Sequence, residues 1–257
     1  MADDHPNIGR RFYKAYRDMP DAGLRRKKGL KVSAILRDVL QGKDIQYILD
    51  VGCSSGVLLD VVVAGLKPKL ALGIDMDARV LPKPTQQRIA VVGDAMVLPV
   101  ASDSIDVILC NHTYKYTPNA LKLFGEIKRV LKPGGIVYFS AVNARWPIES
   151  HYHLPFIHWL PKNLAGLVLR VLGHSSGYFE KPLGTSQLRD LVSDFELYDY
   201  TLKVIAHPER YSAEDVVHPR LAPYFLPIAR LLYGFLPGYL WVLVKRPEVS
   251  QSKAVER

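Results

Sequence analysis

The sequence predicts an α/β fold, an open and mainly parallel sheet with helices on both faces, and three observations carry the prediction. From Gln46 onward, short β-rich runs alternate with helical ones, as they do when crossover helices join parallel strands. The first strand runs into a turn of small residues, Gly52-Cys53-Ser54-Ser55-Gly56, and then into a helix. The chain has 257 residues, 48% hydrophobic and 23% charged, enough to bury the core of one domain carrying insertions.

In order along the chain, residues 1–45 read as a helical, basic segment. It holds Arg10, Arg11, Lys14 and Arg17, then the run Arg25, Arg26, Lys27, Lys28. A solvated helix face is the plain reading of that run; a membrane or nucleic-acid patch is the alternative. Strands are expected at 47–51, 70–74, 90–92, 105–110 and 136–141. Helices are expected at 57–64 and 120–131, the second with Leu121, Phe124, Ile127, Val130 and Leu131 on one face. Leu131-Lys132-Pro133-Gly134-Gly135 ends that helix and turns the chain into the next strand. After residue 74, Pro82 and Pro84 leave room for a reduced crossover at most.

Residues 144–184 break the alternation. Rich in His, Pro and aromatics, with a helical run at 164–172, they read as an insertion above the sheet. A helix near 185–193 follows, and the runs 196–206 and 238–245 are expected as the last two strands, with 207–237 a second irregular insertion. These two insertions are expected to form a substrate cap, and the main domain is taken as 46–257. No internal repeat is visible.

Composition narrows the setting. Cys53 and Cys110 are the only cysteines, each at the end of an apolar run, so neither a disulfide framework nor a CxxC metal site is available. The first residues lack the apolar core of a signal peptide, and a reducing, cytoplasmic setting is expected. The formal charge of +9 favours an anionic partner. The apolar run 221–244 approaches the roughly 20 residues of a membrane span, but Pro223, Pro227, Arg230 and Pro237-Gly238 interrupt it. It reads as a buried strand preceded by a hydrophobic cap; a peripheral membrane contact is the alternative.

The turn after the first strand brings backbone N–H groups and a helix N-terminus close to a ligand. A dinucleotide loop would read G-x-G-x-x-G. This turn lacks the second glycine of that register and sets Asp50 just before Gly52, where a carboxylate repels pyrophosphate and suits an ammonium. An NAD-dependent oxidoreductase is therefore disfavoured.

Asp50-Val-Gly-Cys-Ser-Ser-Gly56 resembles the first motif, D-x-G-x-G-x-G, of the class I S-adenosylmethionine (SAM)-dependent methyltransferases, with Ser54 in place of the middle glycine. If that position takes a positive φ, a Cβ there costs roughly 1–2 kcal/mol, and a SAM-binding module without turnover stays open as a reading. The resemblance implies a Rossmann-like, seven-stranded sheet and a loop around the methionine part of SAM, held by Asp50, Gly52, Ser54 and Gly56. It gives Asp75, at the end of Gly73-Ile74-Asp75-Met76-Asp77, the ribose hydroxyls, and Met76 a face against adenine. Gly93-Asp94-Ala95 resembles the family's G-D-A motif, which puts Asp94 and Ala95 at the adenine edge. Asn111, closing the fourth strand, joins the cofactor set. Ser102 to Ile108 resembles the approach to that strand, with Asp106 structural, and the run from Gly125 to Ser140 matches the family's helix-to-strand passage.

The sulfonium is already a good leaving group, so alignment of a nucleophile carries most of the catalysis. The fourth strand ends in Asn111-His112-Thr113-Tyr114-Lys115-Tyr116, which is neither an NPPY motif nor a Pro-Cys pair. Amino-nitrogen and ring-carbon acceptors are disfavoured, and a small or lipid-linked acceptor methylated at oxygen is expected. His112 is a candidate base, with a hydrogen-bonded structural role as the plain alternative; Tyr114 and Tyr116 line the pocket or pack the loop. In the first insertion, Pro147-Ile-Glu149-Ser-His151 through Phe156, His158, Trp159 and Pro161 is similar to a segment of a methyltransferase subgroup, and makes Glu149 and His151 substrate-side candidates. The spacing of His151, His153 and His158 does not follow H-E-x-x-H, and no metal is expected. An RNA methyltransferase remains the alternative carried by the basic N-terminal segment.

Overall fold

The computed structural model describes residues 22–149, 152–174, 178 and 180–247. Arg10, Arg11, Lys14, Arg17 and His151 lie outside the described residues.

A single sheet of seven strands organises the molecule, and in chain order its strands follow the expected alternation. Helix α1 (Ala22–Leu40) leads to β1 (Tyr47–Val51), α2 (Val57–Leu66), β2 (Leu70–Asp75) and β3 (Arg88–Val92). Then come β4 (Ile105–Asn111), α3 (Ala120–Val130), β5 (Leu131–Val142), α4 (Lys162–Val171), α5 (Thr185–Leu191) and β6 (Phe195–Asp199). Helix α6 (Thr201–Ala206), α7 (Ala222–Leu231) and β7 (Gly238–Lys245) complete the chain.

The strand order is β3-β2-β1-β4-β5-β7-β6. Strands β1 to β5 pair in parallel, while β7 inserts antiparallel between β5 and β6. Order reverses at β1, whose two neighbours are β2 and β4, and the crevice of an open α/β sheet opens outside the carboxyl ends at such a switch point. Apolar side chains alternate between the two faces of the central strands. Leu49, Val51, Ile108, Phe139 and Trp241 enter one core with α3 and α5. Ile48, Val107, Leu109 and Val242 enter the other, with α1, α2 and α6.

Strand β5 starts earlier than expected: Leu131 already pairs with Ile105, and the register shifts across 132–135 before Ile136 pairs with Val107. Gly134 adopts a φ of 74°, and the chain reverses directly from α3 into the sheet. No crossover helix forms between β2 and β3, in keeping with Pro82 and Pro84.

The run 196–206 departs from expectation. Its strand ends at Asp199, whose Oδ1 accepts the Thr201 N–H at 2.8 Å, and the rest folds as α6. Alternating apolar residues cannot distinguish a continued strand from a helix begun by an acid at its mouth. The apolar run 221–244 divides into the exposed helix α7 and the buried strand β7. Among the described residues no helix is long and apolar enough to cross a membrane.

Candidate functional site

The β1–α2 turn is held from beneath by the end of β2. Gly52 and Cys53 donate their N–H groups to the Ile74 carbonyl at 2.7 and 3.1 Å, and Ser54 N–H donates to Asp75 Oδ2 at 2.9 Å. Asp77 N–H donates to Asp75 Oδ1 at 3.1 Å, so the same carboxylate braces the turn and its own strand end. Gly52, Ser54 and Gly56 have φ values of 79°, 49° and 72°. The conditional penalty attached to Ser54 therefore applies, because this position is left-handed and carries a Cβ. At Gly52 an added Cβ would sit 2.6 Å from Thr113 Oγ1, a hydroxyl that donates to the Val51 carbonyl; at Gly56 it would sit 2.7 Å from Pro82. Both positions need glycine for space as well as for conformation.

Asp50 is 3% exposed, at the carboxyl end of β1. Burial first, and then the neighbouring Asp75, push its carboxyl up to about 7. Among the described residues no basic side chain forms an ion pair with it. A desolvated acid beside a second acid, beneath a turn of backbone amides, fits a ligand carrying positive charge near a polar amino-acid group. These acceptors suit the ammonium of an amino-acid ligand, and the buried Asp75 lies one strand away.

The adenine-side candidates sit on the next turn. Met76 and Ala95 are half-buried, and Asp94 Oδ1 accepts the Met96 N–H at 2.8 Å, which orders the Gly93–Ala95 bend. Asn111 pairs in register with Ser140 at the carboxyl end of β4. The next residue, His112, has a φ of 61° and starts a 3-10 turn over Thr113–Tyr116; its Nε2 lies 3.3 Å from Ser140 Oγ. Asp106 stands at the other end of that strand, accepting Gln46 and Tyr47 N–H and the Lys132 ammonium, which is a structural role.

In the first insertion the structure brings together residues that the sequence keeps apart. Glu149, 2% exposed, accepts the Tyr152 N–H at 2.6 Å and lines a small cavity with His158, Tyr178 and Glu180. Glu180 escaped sequence reading: its partner Lys115 lies 65 residues away and no motif links them. The two side chains pair at 2.9 Å with 1% and 2% exposure, and Tyr116 donates to the other Glu180 oxygen at 3.0 Å. Tyr114 packs the loop, being 1% exposed and donating its hydroxyl to the Val142 carbonyl at 2.6 Å.

Arg25 was the other omission. Its Nη1 donates to Ser54 Oγ at 2.9 Å and Ser55 Oγ at 3.2 Å, so α1 lies over the candidate cofactor turn. Gly29 allows that approach, since a Cβ there would lie 2.7 Å from Val61 Cβ on α2. Lys28 is half-buried; desolvation, then repulsion from Lys115, Lys31 and Arg25, lowers its pKa. Lys31 pairs with Asp215 at 3.5 Å. The run 25–28 is thus only partly the solvated face expected of it: Arg26 and Lys27 are exposed, whereas Arg25 and Lys28 turn inward. Among the described residues no group of acids, histidines or cysteines could hold a metal. A broad depression of about 550 Å³ between Lys43–Gln46 and Lys67–Lys69 lies at the opposite edge of the sheet, away from every candidate.

Residues 49–139 match the model of a methyltransferase domain. The match supports a class I SAM-dependent methyltransferase. Its similarity to individual members is partial. A malonyl-[acyl-carrier protein] O-methyltransferase of Coxiella burnetii is 28% identical over 104 residues, 40% of this chain and 36% of that one. An uncharacterized methyltransferase of Schizosaccharomyces pombe is 27% identical over 206 residues, 78% of this chain and 73% of that one. The plantazolicin methyltransferase BpumL, solved with S-adenosylhomocysteine, superposes with a TM-score of 0.59 at 16% identity over 93% of this chain and 90% of its own, which is a likeness of fold. The first curated relatives are matched over between 36% and 45% of their own lengths. The family-model match ends near the close of β5, so both insertions lie beyond the matched domain.

Proposed function

We propose that this chain transfers a methyl group from SAM to an oxygen of a small-molecule or lipid-linked acceptor and releases S-adenosylhomocysteine. The observation that carries the reading is the pair of buried carboxylates, Asp50 and Asp75, at adjacent strand ends beneath a left-handed turn of small residues. SAM supplies an activated methyl on a sulfonium, so the chain's own task is to bind, orient and exclude water.

In this reading Asp50 receives the ammonium of the amino-acid moiety, and the turn from Gly52 through Ser54 to Gly56 wraps it. Asp75 takes the ribose hydroxyls, Met76 packs against the base, Asp94 and Ala95 meet its edge, and Asn111 closes the crevice. His112 and Glu149 stand on the acceptor side, with His151 joining them as a sequence candidate. A neutral imidazole or a carboxylate there can take the hydroxyl proton as the oxygen is methylated. Residues 144–184 and 207–237 form the acceptor-side cap. Oxygen is favoured by these candidate bases, by the lack of an amino-nitrogen motif after β4, and by the name of the Coxiella relative. A carrier- or lipid-linked acceptor agrees with that name and with the apolar surface of the cap; a reducing, cytoplasmic setting agrees with the two buried free thiols.

Incubation of extract with purified protein and isotopically labelled SAM, followed by untargeted mass spectrometry, tests the activity. A labelled small molecule or lipid that requires the protein is the expected result, and label appearing in RNA alone would contradict the acceptor class. Single-turnover transfer by separate His112→Ala and His151→Ala variants tests the base: a loss of about 10²- to 10⁴-fold in one of them is expected, and wild-type rates in both would remove that role.

A further inference from the structure

The carboxyl edge of the sheet carries an exposed apolar surface. Helix α7 is amphipathic in the inverse sense: its buried side holds Ala222 and Ala229, while Phe225, Ile228, Leu231 and Leu232 are exposed, Leu231 to 85%. The turn that follows brings Phe235, 55% exposed, against the first insertion. Arg145 lies over the Phe235 ring at 5.9 Å, and Asn143 Nδ2 donates to the Gly234 and Leu236 carbonyls at 2.9 Å each. On the other flank of Arg145, His158 and Trp159 both donate ring N–H groups to the Ala144 carbonyl, at 3.0 and 2.6 Å. Trp159 and Phe156 contact each other at 4.9 Å and are 54% and 50% exposed. The apolar groups of two insertions distant in sequence therefore form one surface around Arg145.

Position and charge say what it meets. Val142 pairs with Gly238, so residues 143–145 and 233–237 stand at the sheet edge to which β1, β2 and β4 also deliver Asp50, Asp75 and Asn111. The segments that form this surface carry exposed charge of one sign, although the half-buried Asp199 of β6 accepts the Tyr233 hydroxyl beside it. Between Val216 and Pro247 there is no acid at all, and the one acid between Asn143 and His174, Glu149, is buried. Arg145, Lys162, Arg170 and Arg230 are all exposed. Large aliphatic and aromatic groups with an excess of exposed cations among them fit an interface of acyl chains below anionic headgroups, and exposed apolar surface of this kind is not left to water without a use.

We propose that the surface formed by α7, the 233–237 turn and the 156–159 turn seats the protein on an anionic membrane, with the mouth of the candidate cofactor crevice beside the bilayer. The orientation lets an acceptor anchored in lipid enter from the membrane without leaving it. In this respect the inference deepens the proposed function, but the seating itself needs no methyl transfer.

Co-sedimentation of the full chain, without SAM, with phosphatidylcholine vesicles with and without phosphatidylglycerol tests it. The wild type is expected to pellet with the anionic vesicles and to be released from neutral ones. Leu231→Asp and, separately, Phe235→Ser are each expected to lower binding roughly tenfold or more, as loss of one inserted apolar side chain requires. Both positions are exposed enough for the fold to persist, and circular dichroism checks that. Lys69→Glu, on the opposite edge, is expected to leave binding unchanged. A wild type that stays in the supernatant, variants that bind as it does, or a Lys69→Glu loss as large as that of Leu231→Asp would each overturn the proposal. So would a wild-type dimer that Leu231→Asp turns into a non-sedimenting monomer, which would make the face an interface between two copies. SAM affinity measured on the same samples keeps the outcomes apart, because loss of SAM binding would strike the proposed function and leave membrane seating standing.

Discussion

Asp50, proposed to receive the cofactor's ammonium, carries a cost to the empty fold. Its carboxyl titrates near 7 when folded against an ordinary value of 3.8, because burial and then Asp75 disfavour its charge. The folded chain therefore binds this proton more tightly than the unfolded one. Raising the pH from about 4 to about 7 removes stability through this group, and above about 7 the penalty is complete. Asp50→Asn should accordingly stabilise the SAM-free protein at pH 8, by up to about 4 kcal/mol, and chemical denaturation at pH 8 and pH 5 checks it. The gain should shrink at the lower pH; an equal effect at both would mean that charge is not the cause. The motif made Asp50, Gly52 and Gly56 legible, since acid and glycine at that spacing have few other uses. Arg25 was not legible, because its contact with Ser54 and Ser55 depends on how closely α1 packs on α2 at Gly29, a matter of shape that no spacing encodes.

At the scale of elements, the buried Lys115–Glu180 pair fastens the end of the first insertion to the 3-10 turn after β4. Glu180→Gln leaves the Lys115 ammonium buried without its counter-charge, and a loss of roughly 3–5 kcal/mol is expected in urea denaturation; a change below 1 kcal/mol would show that the ammonium finds water instead. Elements whose hydrophobic period matched their final neighbours were readable, β1, β4, α3 and β7 among them. The run 196–206 was not. Its apolar residues serve a strand as far as Asp199 and a helix beyond it, and the switch depends on one side-chain acceptor rather than on period. The antiparallel insertion of β7 between β5 and β6 is likewise a decision of topology, which the strand's own residues do not record.

The whole molecule places every candidate cofactor residue at one edge of one sheet and buries both cysteines beneath it. Burial raises the Cys53 thiol above its ordinary range and, with Asp50 a lesser cause, pushes Cys110 up to about 12. Neither should react with a thiol reagent in the native protein, while both should react once it is unfolded, and a colorimetric titration in buffer and in guanidinium separates the cases. Fast native labelling of Cys53 would show that the β1–α2 turn opens far more readily than its hydrogen bonds to Ile74 imply.

Everything proposed for the chemistry depends on a carboxylate at the end of β1 receiving a cationic amino acid, and calorimetric titration of SAM into wild type and Asp50→Asn across pH 6 to 8.5 measures that directly. Wild-type affinity should hold above about 7 and fall below it, by up to about tenfold per pH unit as the carboxyl takes up its proton, while the variant should bind weakly and show no such step. Equal affinity in the two proteins at every pH, or no heat from SAM in the folded wild type, would contradict the account.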